Sequence, residues 1–278
     1  MLEGSFIKWA GGKKWLASRG VLPPPTSFNH YFEPFLGGGA IFFSLSPRTA
    51  YLSDLNSELI ETYRILKENP EGLKKKLSKH QQKHSRDYYY TIRANPSGSP
   101  LARAARFIYL NKACWNGLYR VNAAGQFNVP IGTNTNIISD QLNLHNFSKA
   151  LKNASLKCCD FEETIKQAKA GDLIFADPPY TVKHNKNGFI GYNEKIFSWA
   201  DQERLANALG KAAQNGVKLI ITNANHESIH QLYYFAEPHI FSRTSLIAGS
   251  AQRRGLITEA IFTANIGLSQ GQNTTPRN

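Results

Sequence analysis

Three groups of residues have types and spacings suited to chemistry. In the first, Asp177-Pro178-Pro179-Tyr180 follows directly on the apolar run Leu173-Ile174-Phe175-Ala176. A carboxylate, two rigid prolines and an aromatic ring therefore stand at the end of a short buried strand that the prolines cannot continue. In open α/β sheets ligands bind at that edge. An exocyclic amine on a nucleobase is a poor nucleophile, because its lone pair is delocalised into the ring. A carboxylate and a backbone carbonyl that accept its two N–H bonds favour rehybridisation, while an aromatic face holds the ring in place. Asp177, the Pro178 carbonyl and Tyr180 offer those groups, with Pro179 stiffening the turn. The plain structural alternative is a strand end closed by a proline turn.

The second group is Phe35-Leu36-Gly37-Gly38-Gly39 with Asp54. Glycines in a first strand-to-helix turn let a cofactor lie against the backbone, and an acidic residue at the end of the next strand accepts hydrogen bonds from ribose hydroxyls. The full dinucleotide fingerprint is absent. Phe42 occupies the position three beyond Gly39, and no Lys-Ser or Lys-Thr pair follows to hold a phosphate chain. The pattern disfavours NAD and ATP and suits a nucleoside without phosphates. A simple glycine turn, with Asp54 capping a helix, is the competing reading. The third group is Lys8-Trp9-Ala10-Gly11-Gly12-Lys13, where glycines ahead of a helix open its unpaired N–H groups to a ligand. Trp9 is otherwise a core aromatic.

The elements that must position these groups follow from periodicity and breakers. Tyr31-Phe32-Glu33-Pro34-Phe35 reads as a strand, residues 36–39 as a tight turn and Ala40-Ile41-Phe42-Phe43 as the opening of a helix. Ala50-Tyr51-Leu52-Ser53 is a second strand ending at Asp54, with Asn56 placed to cap a helix through Glu58, Ile60, Tyr63 and Leu66. Two successive βα units imply a parallel sheet with right-handed crossovers. From about residue 57 to 150 the pattern is helical, with a helix over 101–114 and then a loop and hairpin over 115–130 that turns at Ala123-Ala124-Gly125. The βα pattern resumes with a strand at 155–158, a helix at 161–168 and the strand into Asp177. A loop over 181–198 follows, long enough to be functional or mobile. Beyond it lie a helix from near Asp201, strands at 217–222, 238–243 and 256–264, and a polar tail from 267 that reads as disordered.

A formal charge of +13 favours a polyanionic partner such as nucleic acid. Residues 57–150 hold 14 Lys or Arg against 6 Asp or Glu, so +8 of that +13 sits in the apparent insertion. The 41% apolar content supports a packed core, and no apolar run reaches membrane length. With no signal peptide visible, cytoplasm is the expected compartment. Cys114, Cys158 and Cys159 lack metal-ligand spacing and read as reduced, mostly structural thiols. His80, His84, His226 and His230 lack suitable companions and read as surface or loop histidines, so no metal is expected.

Taken in order, these pieces resemble the Dam family of DNA adenine N6-methyltransferases. The resemblance rests on Lys8 to Lys13, Phe35 to Gly39, Asp54, Asn116-Gly117-Leu118 with Arg120, Phe127-Asn128-Val129-Pro130, Asp177 to Tyr180, and Arg254-Gly255-Leu256-Ile257-Thr258-Glu259. It implies an α/β, Rossmann-like methyltransferase fold, a mixed and largely parallel seven-stranded sheet built from residues 1–56 and 151–278. Residues 57–150 are then an inserted, mainly helical target-recognition domain. The resemblance further implies S-adenosylmethionine as methyl donor, held by Trp9, Lys13, Phe35, Gly37, Gly39, Asp54 and Asp177. It implies double-stranded DNA as substrate, with a flipped adenine on Tyr180. Lys8, Trp115, Asn116, Leu118, Arg120 and Pro130 would lie against DNA, Arg120 being the candidate for a bidentate guanine contact. Asp177 is expected to orient the amine rather than act as a strong base, since an unperturbed carboxylate pKa of about 4 is low for that task.

Two departures bear on the target rather than on methyl transfer. Trp115 stands where enterobacterial relatives carry tyrosine, and Ala123-Ala124-Gly125-Gln126 lacks their charged residues. The family's usual GATC is the expected target, and a monomer the expected state. The alternatives are a noncatalytic DNA-binding protein on a methyltransferase scaffold, or a methyltransferase acting on cytosine N4 or RNA.

Overall fold

The computed structural model describes residues 4–17, 22, 27–122, 124–137, 142–182, 197–244 and 256–266. Among these, seven strands form one mixed sheet: β1 (Tyr31–Glu33), β2 (Ala50–Asp54), β3 (Ala154–Cys158), β4 (Leu173–Ala176), β5 (Lys218–Ala224), β6 (Glu237–Thr244) and β7 (Leu256–Ala264). Their order is β3-β2-β1-β4-β5-β7-β6. The expected α/β, mixed seven-stranded architecture is therefore present. The chain divides into two compact units, residues 1–25 with 36–159 and residues 26–35 with 160–278.

In the first unit β2 and β3 pair in parallel, from Ala50 opposite Ala154 to Asp54 opposite Cys158. The helices are α1 (Lys14–Ala17), α2 (Ala40–Leu45), α3 (Ser57–Glu68), α4 (Pro70–Lys83), α5 (Arg86–Ala94), α6 (Pro100–Ala113) and α7 (Leu144–Leu151). Asn56, Asn69, Ser85 and Ser99 each accept a backbone N–H at the start of α3 to α6. Proline stands in the first turn of α4 and α6, where its missing N–H costs nothing. Helix α6 buries nearly every residue from Ala104 to Ala113, as a helix enclosed on all sides must. Phe6, Phe43, Tyr63 and Phe147 interlock, with Phe6 edge-on to Tyr63 at 5.0 Å and Phe43 edge-on to Phe147 at 4.8 Å.

In the second unit β1, β4 and β5 are parallel, and β7 runs antiparallel to β5 with β6 outside it. Strand β1 stops at Glu33 rather than running to Phe35, because Pro34 cannot donate to a ladder. All four residues of β4 are buried, as expected of a parallel strand flanked on both edges. Helix α8 (Phe161–Ile165) is shorter than the helix expected to reach 168, and α9 (Trp199–Gln214) starts from a Ser198–Asp201 capping box. Helix α10 (Glu227–Leu232) precedes β6.

Two sequence readings are corrected. His80 is half-buried against tyrosines rather than a surface histidine, while His84 lies in the loop after α4 as expected. His80 stacks on Tyr109 at 4.8 Å and shares a 2.8 Å hydrogen bond with the Tyr88 hydroxyl, while His84 bonds the Tyr109 hydroxyl at 2.8 Å. Of the cysteines only Cys114 is buried, its thiol pushed up to about 11 by that burial, whereas Cys158 is exposed. The loop over 183–196, the tail beyond 266, Ala123, Arg254 and Gly255 fall outside the described residues. No described helix is long and apolar enough to cross a membrane.

The histidine cluster sets a pH dependence. Burial first, and then the charges of Lys76 and Lys83, lower the His80 pKa from 6.5 to about 4. Below pH 6.5 the unfolded chain takes up a proton that the folded chain refuses. The stabilisation from neutral His80 is thus complete above about pH 6.5 and is lost on going down toward pH 4. We expect the urea midpoint to fall between pH 7.5 and pH 5, and His80→Phe to flatten that fall. An equally steep fall in the variant would exclude His80 as the source.

Candidate functional site

The glycine turn of the first unit is held from its own side chains outward. The Leu36 N–H donates to the Ser53 carbonyl at 2.9 Å and the Gly37 N–H to Asp54 Oδ2 at 3.0 Å. The other carboxylate oxygen, Oδ1, accepts from the Asn56 N–H at 2.9 Å, and the Asn56 side chain in turn caps α3 through Leu59. Burial pushes the Asp54 carboxyl up from its ordinary value, opposed by the backbone N–H groups of Asn56, Gly37 and Leu55. Each oxygen keeps lone-pair capacity beyond its backbone bond. Leu55, next in the chain, is 65% exposed.

Gly37 and Gly39 sit at φ +46° and +63°, where glycine is favoured. A Cβ on Gly37 would lie 2.8 Å from Trp9 Cδ1, and one on Gly39 2.7 Å from the Tyr63 hydroxyl. The close approach these glycines permit is thus made by the protein's own Trp9 and Tyr63. The Tyr63 hydroxyl also donates to the Gly37 carbonyl at 3.1 Å. Trp9 is half-buried and lies parallel to Tyr119, ring centroids 5.5 Å apart. Lys13 is buried, its ammonium donating to the Gly11 carbonyl at 2.6 Å.

The recognition candidates of the same unit surround the end of α6. Trp115, 52% exposed, opens a 3-10 turn (Trp115–Gly117) and its N–H donates to the Pro130 carbonyl at 2.9 Å. Asn116 is left-handed at φ 55° and Gly117 at φ 64°. The expected hairpin is present as an antiparallel bridge between Val121 and Phe127. Arg120 is exposed, its Nε–H donating to Asn128 Oδ1 at 2.9 Å, while Leu118 is half-buried. Asn111, fully buried, accepts from the Lys8 N–H at 2.8 Å and donates to the Lys8 carbonyl at 2.7 Å. The Lys8 stem then packs on Gly117, where any Cβ would collide with it. The structure therefore gathers Lys8, Trp115, Asn116, Leu118, Arg120 and Pro130 around one turn and hairpin.

In the second unit each part of the Asp177 motif is tethered. Thr222 Oγ1 on β5 donates to Asp177 Oδ1 at 2.6 Å. The Gln202 side chain on α9, fully buried, donates to the Pro179 carbonyl at 3.1 Å, and its own carbonyl accepts from Asn223 at 3.3 Å and Tyr233 at 3.2 Å. The Tyr180 hydroxyl donates to Glu259 Oε2 on β7 at 3.1 Å. Burial, with the Asp177 and Glu259 charges beside it, holds the Tyr180 phenol well above its ordinary pKa, so it stays a neutral donor. Phe35 is in this unit, stacked on Phe161 at 5.5 Å and edge-on to Phe197 at 5.5 Å. No group of described His, Cys, Asp and Glu residues has the arrangement of a metal site.

Sequence reasoning did not select Asn111, Tyr63, Tyr119, Thr222, Gln202 or Glu259 as site residues. Glu259 and Tyr119 lie within the stretches that carried the family resemblance, and Asn111 follows the apolar run Phe107-Ile108-Tyr109-Leu110 of α6. Nothing in the sequence separates Gln202 from the other polar residues of α9.

A mixed seven-stranded sheet, an acidic strand end beside a glycine turn and an Asp-Pro-Pro-Tyr motif go with a methyltransferase class. Residues 9–248 match the D12 class N6 adenine-specific DNA methyltransferases, and the chain belongs to that family. It is 38% identical over 268 residues to the Type II methyltransferase M1.LlaDCHI of Lactococcus lactis subsp. cremoris, covering 93% of this chain and 94% of that protein. It is 35% identical over 251 residues to the Type II methyltransferase M.MjaIII of Methanocaldococcus jannaschii, covering 82% and 87%. It is 34% identical over 228 residues to the DNA adenine methylase of Haemophilus influenzae, covering 80% and 79%.

Two positive-φ glycines separate backbone strain from steric fit. Gly125, at φ 73°, has nothing within 4 Å of a built Cβ, whereas Gly37 meets the Trp9 indole. Gly125→Ala should cost about 1–2 kcal/mol, the strain of a left-handed alanine. Gly37→Ala should cost clearly more in urea denaturation. Equal losses would show that Trp9 does not fix the turn.

Proposed function

We propose that this protein is a site-specific DNA methyltransferase that transfers a methyl group from S-adenosylmethionine to N6 of an adenine flipped out of duplex DNA, within GATC. The observation that carries the reading is the Asp177-Pro178-Pro179-Tyr180 motif, anchored residue by residue, in a chain of the D12 family.

The cofactor assignment is supported by the chemistry of the donors. Asp54 is a half-buried carboxylate that retains acceptor capacity for ribose hydroxyls after its two backbone bonds. With it we assign Trp9, Lys13, Phe35, Gly37, Gly39 and Asp177 to the methyl donor. Once bound, S-adenosylmethionine supplies an electrophilic methyl group on a sulfonium. The chain's own residues arrange the acceptor. Asp177, oriented by Thr222, accepts one adenine N6–H, and the Pro178 carbonyl accepts the other. The Pro179 carbonyl is already committed to Gln202. Tyr180 presents its ring to the base while its hydroxyl is held by Glu259. Asp177 orients the amine and favours its rehybridisation, and the N6 proton leaves during or after transfer.

Residues 1–56 and 151–278 are assigned to catalysis and 57–150 to target recognition, with Lys8, Trp115, Asn116, Leu118, Arg120 and Pro130 toward DNA. Trp115 or Asn116 fills the space of the extruded base. Arg120 is oriented through Nε by Asn128, which leaves its terminal nitrogens chemically open to a bidentate guanine contact. The positive charge of residues 57–150 suits the phosphate backbone. The protein is assigned as a cytoplasmic monomer.

Duplex DNA incubated with methyl-labelled S-adenosylmethionine and digested to nucleosides should carry the label in N6-methyladenine, and sequencing the modified adenines should return GATC. Label in cytosine, in RNA alone, or nowhere would overturn the substrate reading. Asp177→Ala should abolish transfer with DNA affinity retained. Arg120→Ala should relax discrimination at one base, at a cost of about 1–3 kcal/mol. Unchanged sequence preference in that variant would remove the hairpin from the major groove.

A further inference from the structure

Tyr119 joins the recognition hairpin to the turn held by Asp54 through two independent routes, all within the first unit. Its ring stacks on Trp9 with centroids 5.5 Å apart and planes 20° apart, and packs on Phe107 at 5.1 Å and Phe127 at 5.8 Å. Trp9 in turn lies so close over residues 37 and 38 that a built Cβ would meet it at 2.8 Å and 3.1 Å. That first route ends at the Gly37 N–H, which donates to Asp54 Oδ2.

The second route starts at the hydroxyl. Tyr119 Oη donates to Glu58 Oε2 at 2.8 Å, in the first turn of α3. Two residues earlier the Asn56 N–H donates to Asp54 Oδ1. Glu58 also faces the Arg106 guanidinium at 3.9 Å, and Arg106 is fixed to the Ile92 and Arg93 carbonyls at 2.9 Å and 2.8 Å. The carboxylate that Tyr119 grips is thus tied to two helices, α3 and α6. One ring on the hairpin bears on both oxygens of Asp54 through the backbone groups that bond them.

We infer that Tyr119 is a positioning residue that couples the recognition hairpin to the cofactor turn, so that duplex DNA and methyl donor raise each other's affinity. This rests on the assignment of the donor to Asp54 and of DNA to the hairpin. A hairpin moved by DNA shifts the Tyr119 ring and hydroxyl together, and the Trp9 and Glu58 routes carry that shift to the turn. Linkage requires the effect to be equal in both directions.

The test uses S-adenosylhomocysteine, which binds without turnover, and a short duplex carrying the protein's own methylation site. Calorimetry gives the affinity for each with and without the other. In the wild-type protein each should tighten the other by the same factor, on the order of tenfold. Tyr119→Phe keeps the ring contacts and removes the hydroxyl. It should lower that factor to what the Trp9 route alone carries, while each affinity measured alone is retained. Glu58→Gln keeps an acceptor and should preserve more coupling than Tyr119→Phe. A wild-type factor of one, or a Tyr119→Phe factor equal to the wild type's, would overturn the inference and leave methylation standing. A wild-type protein that bound neither S-adenosylhomocysteine nor duplex would instead overturn the proposed function itself.

Discussion

The Asp54 carboxylate fixes the first compact unit more than any other single group. A carboxylate drawn partly out of water is costly unless its lone pairs are met, and here the partners are backbone N–H groups on both sides of the strand end, Gly37 and Asn56. Satisfying that charge locks the glycine turn and the start of α3 in one stroke. Helix α3 carries Tyr63, which donates to the Gly37 carbonyl, and Glu58, which receives the Tyr119 hydroxyl. Positions distant in sequence become mutually fixed because one carboxylate has to be solvated by the protein.

The second unit solves a different problem. A carboxylate, two prolines and a tyrosine at a strand end have few intrinsic ways to hold one shape, because proline brings no N–H. The tethers arrive from three elements, Thr222 on β5, Gln202 on α9 and Glu259 on β7. Gln202 meets its own demands through Asn223 and Tyr233, so the buried amide carries no unmet polar atom. Rigid support of this kind lets a carboxylate serve by position rather than by basicity.

Much of this was legible in the sequence, and the reasons are specific. Strands β2 and β4 matched the apolar runs at the expected residues, because short runs closed by Asp leave little latitude, and β7 also spans the expected residues. The helix cap at Asn56 followed from Asx chemistry ahead of an amphipathic stretch, whereas the Ser198–Asp201 capping box set the start of α9 two residues before the expected Asp201. The identities of the glycine turn and the motif were readable, but their supports were not. Trp9 fills the space over Gly37, and Gln202 reaches Pro179 from 23 residues away. Such contacts depend on tertiary placement, for which a single sequence has no periodic signal. His80 escaped the reading for the same reason, since helical spacing reveals a shared face but not that tyrosines cover it.

The Lys8 stem rests on Gly117, a left-handed residue with no room for a side chain, while Asn111 holds the Lys8 backbone from a sequence distance of 103 residues. The N-terminal segment and the recognition turn are therefore one steric object drawn from two parts of the chain. A substitution at Gly117 that disturbed this seat would therefore move the N-terminal segment as well. Lys8, Asn111 and Gly117 constrain one another's identity, whereas the exposed Trp115 and Asn116 stand clear of this seat. The seat thereby divides this end of the first unit into positions that can drift and positions that must move in concert.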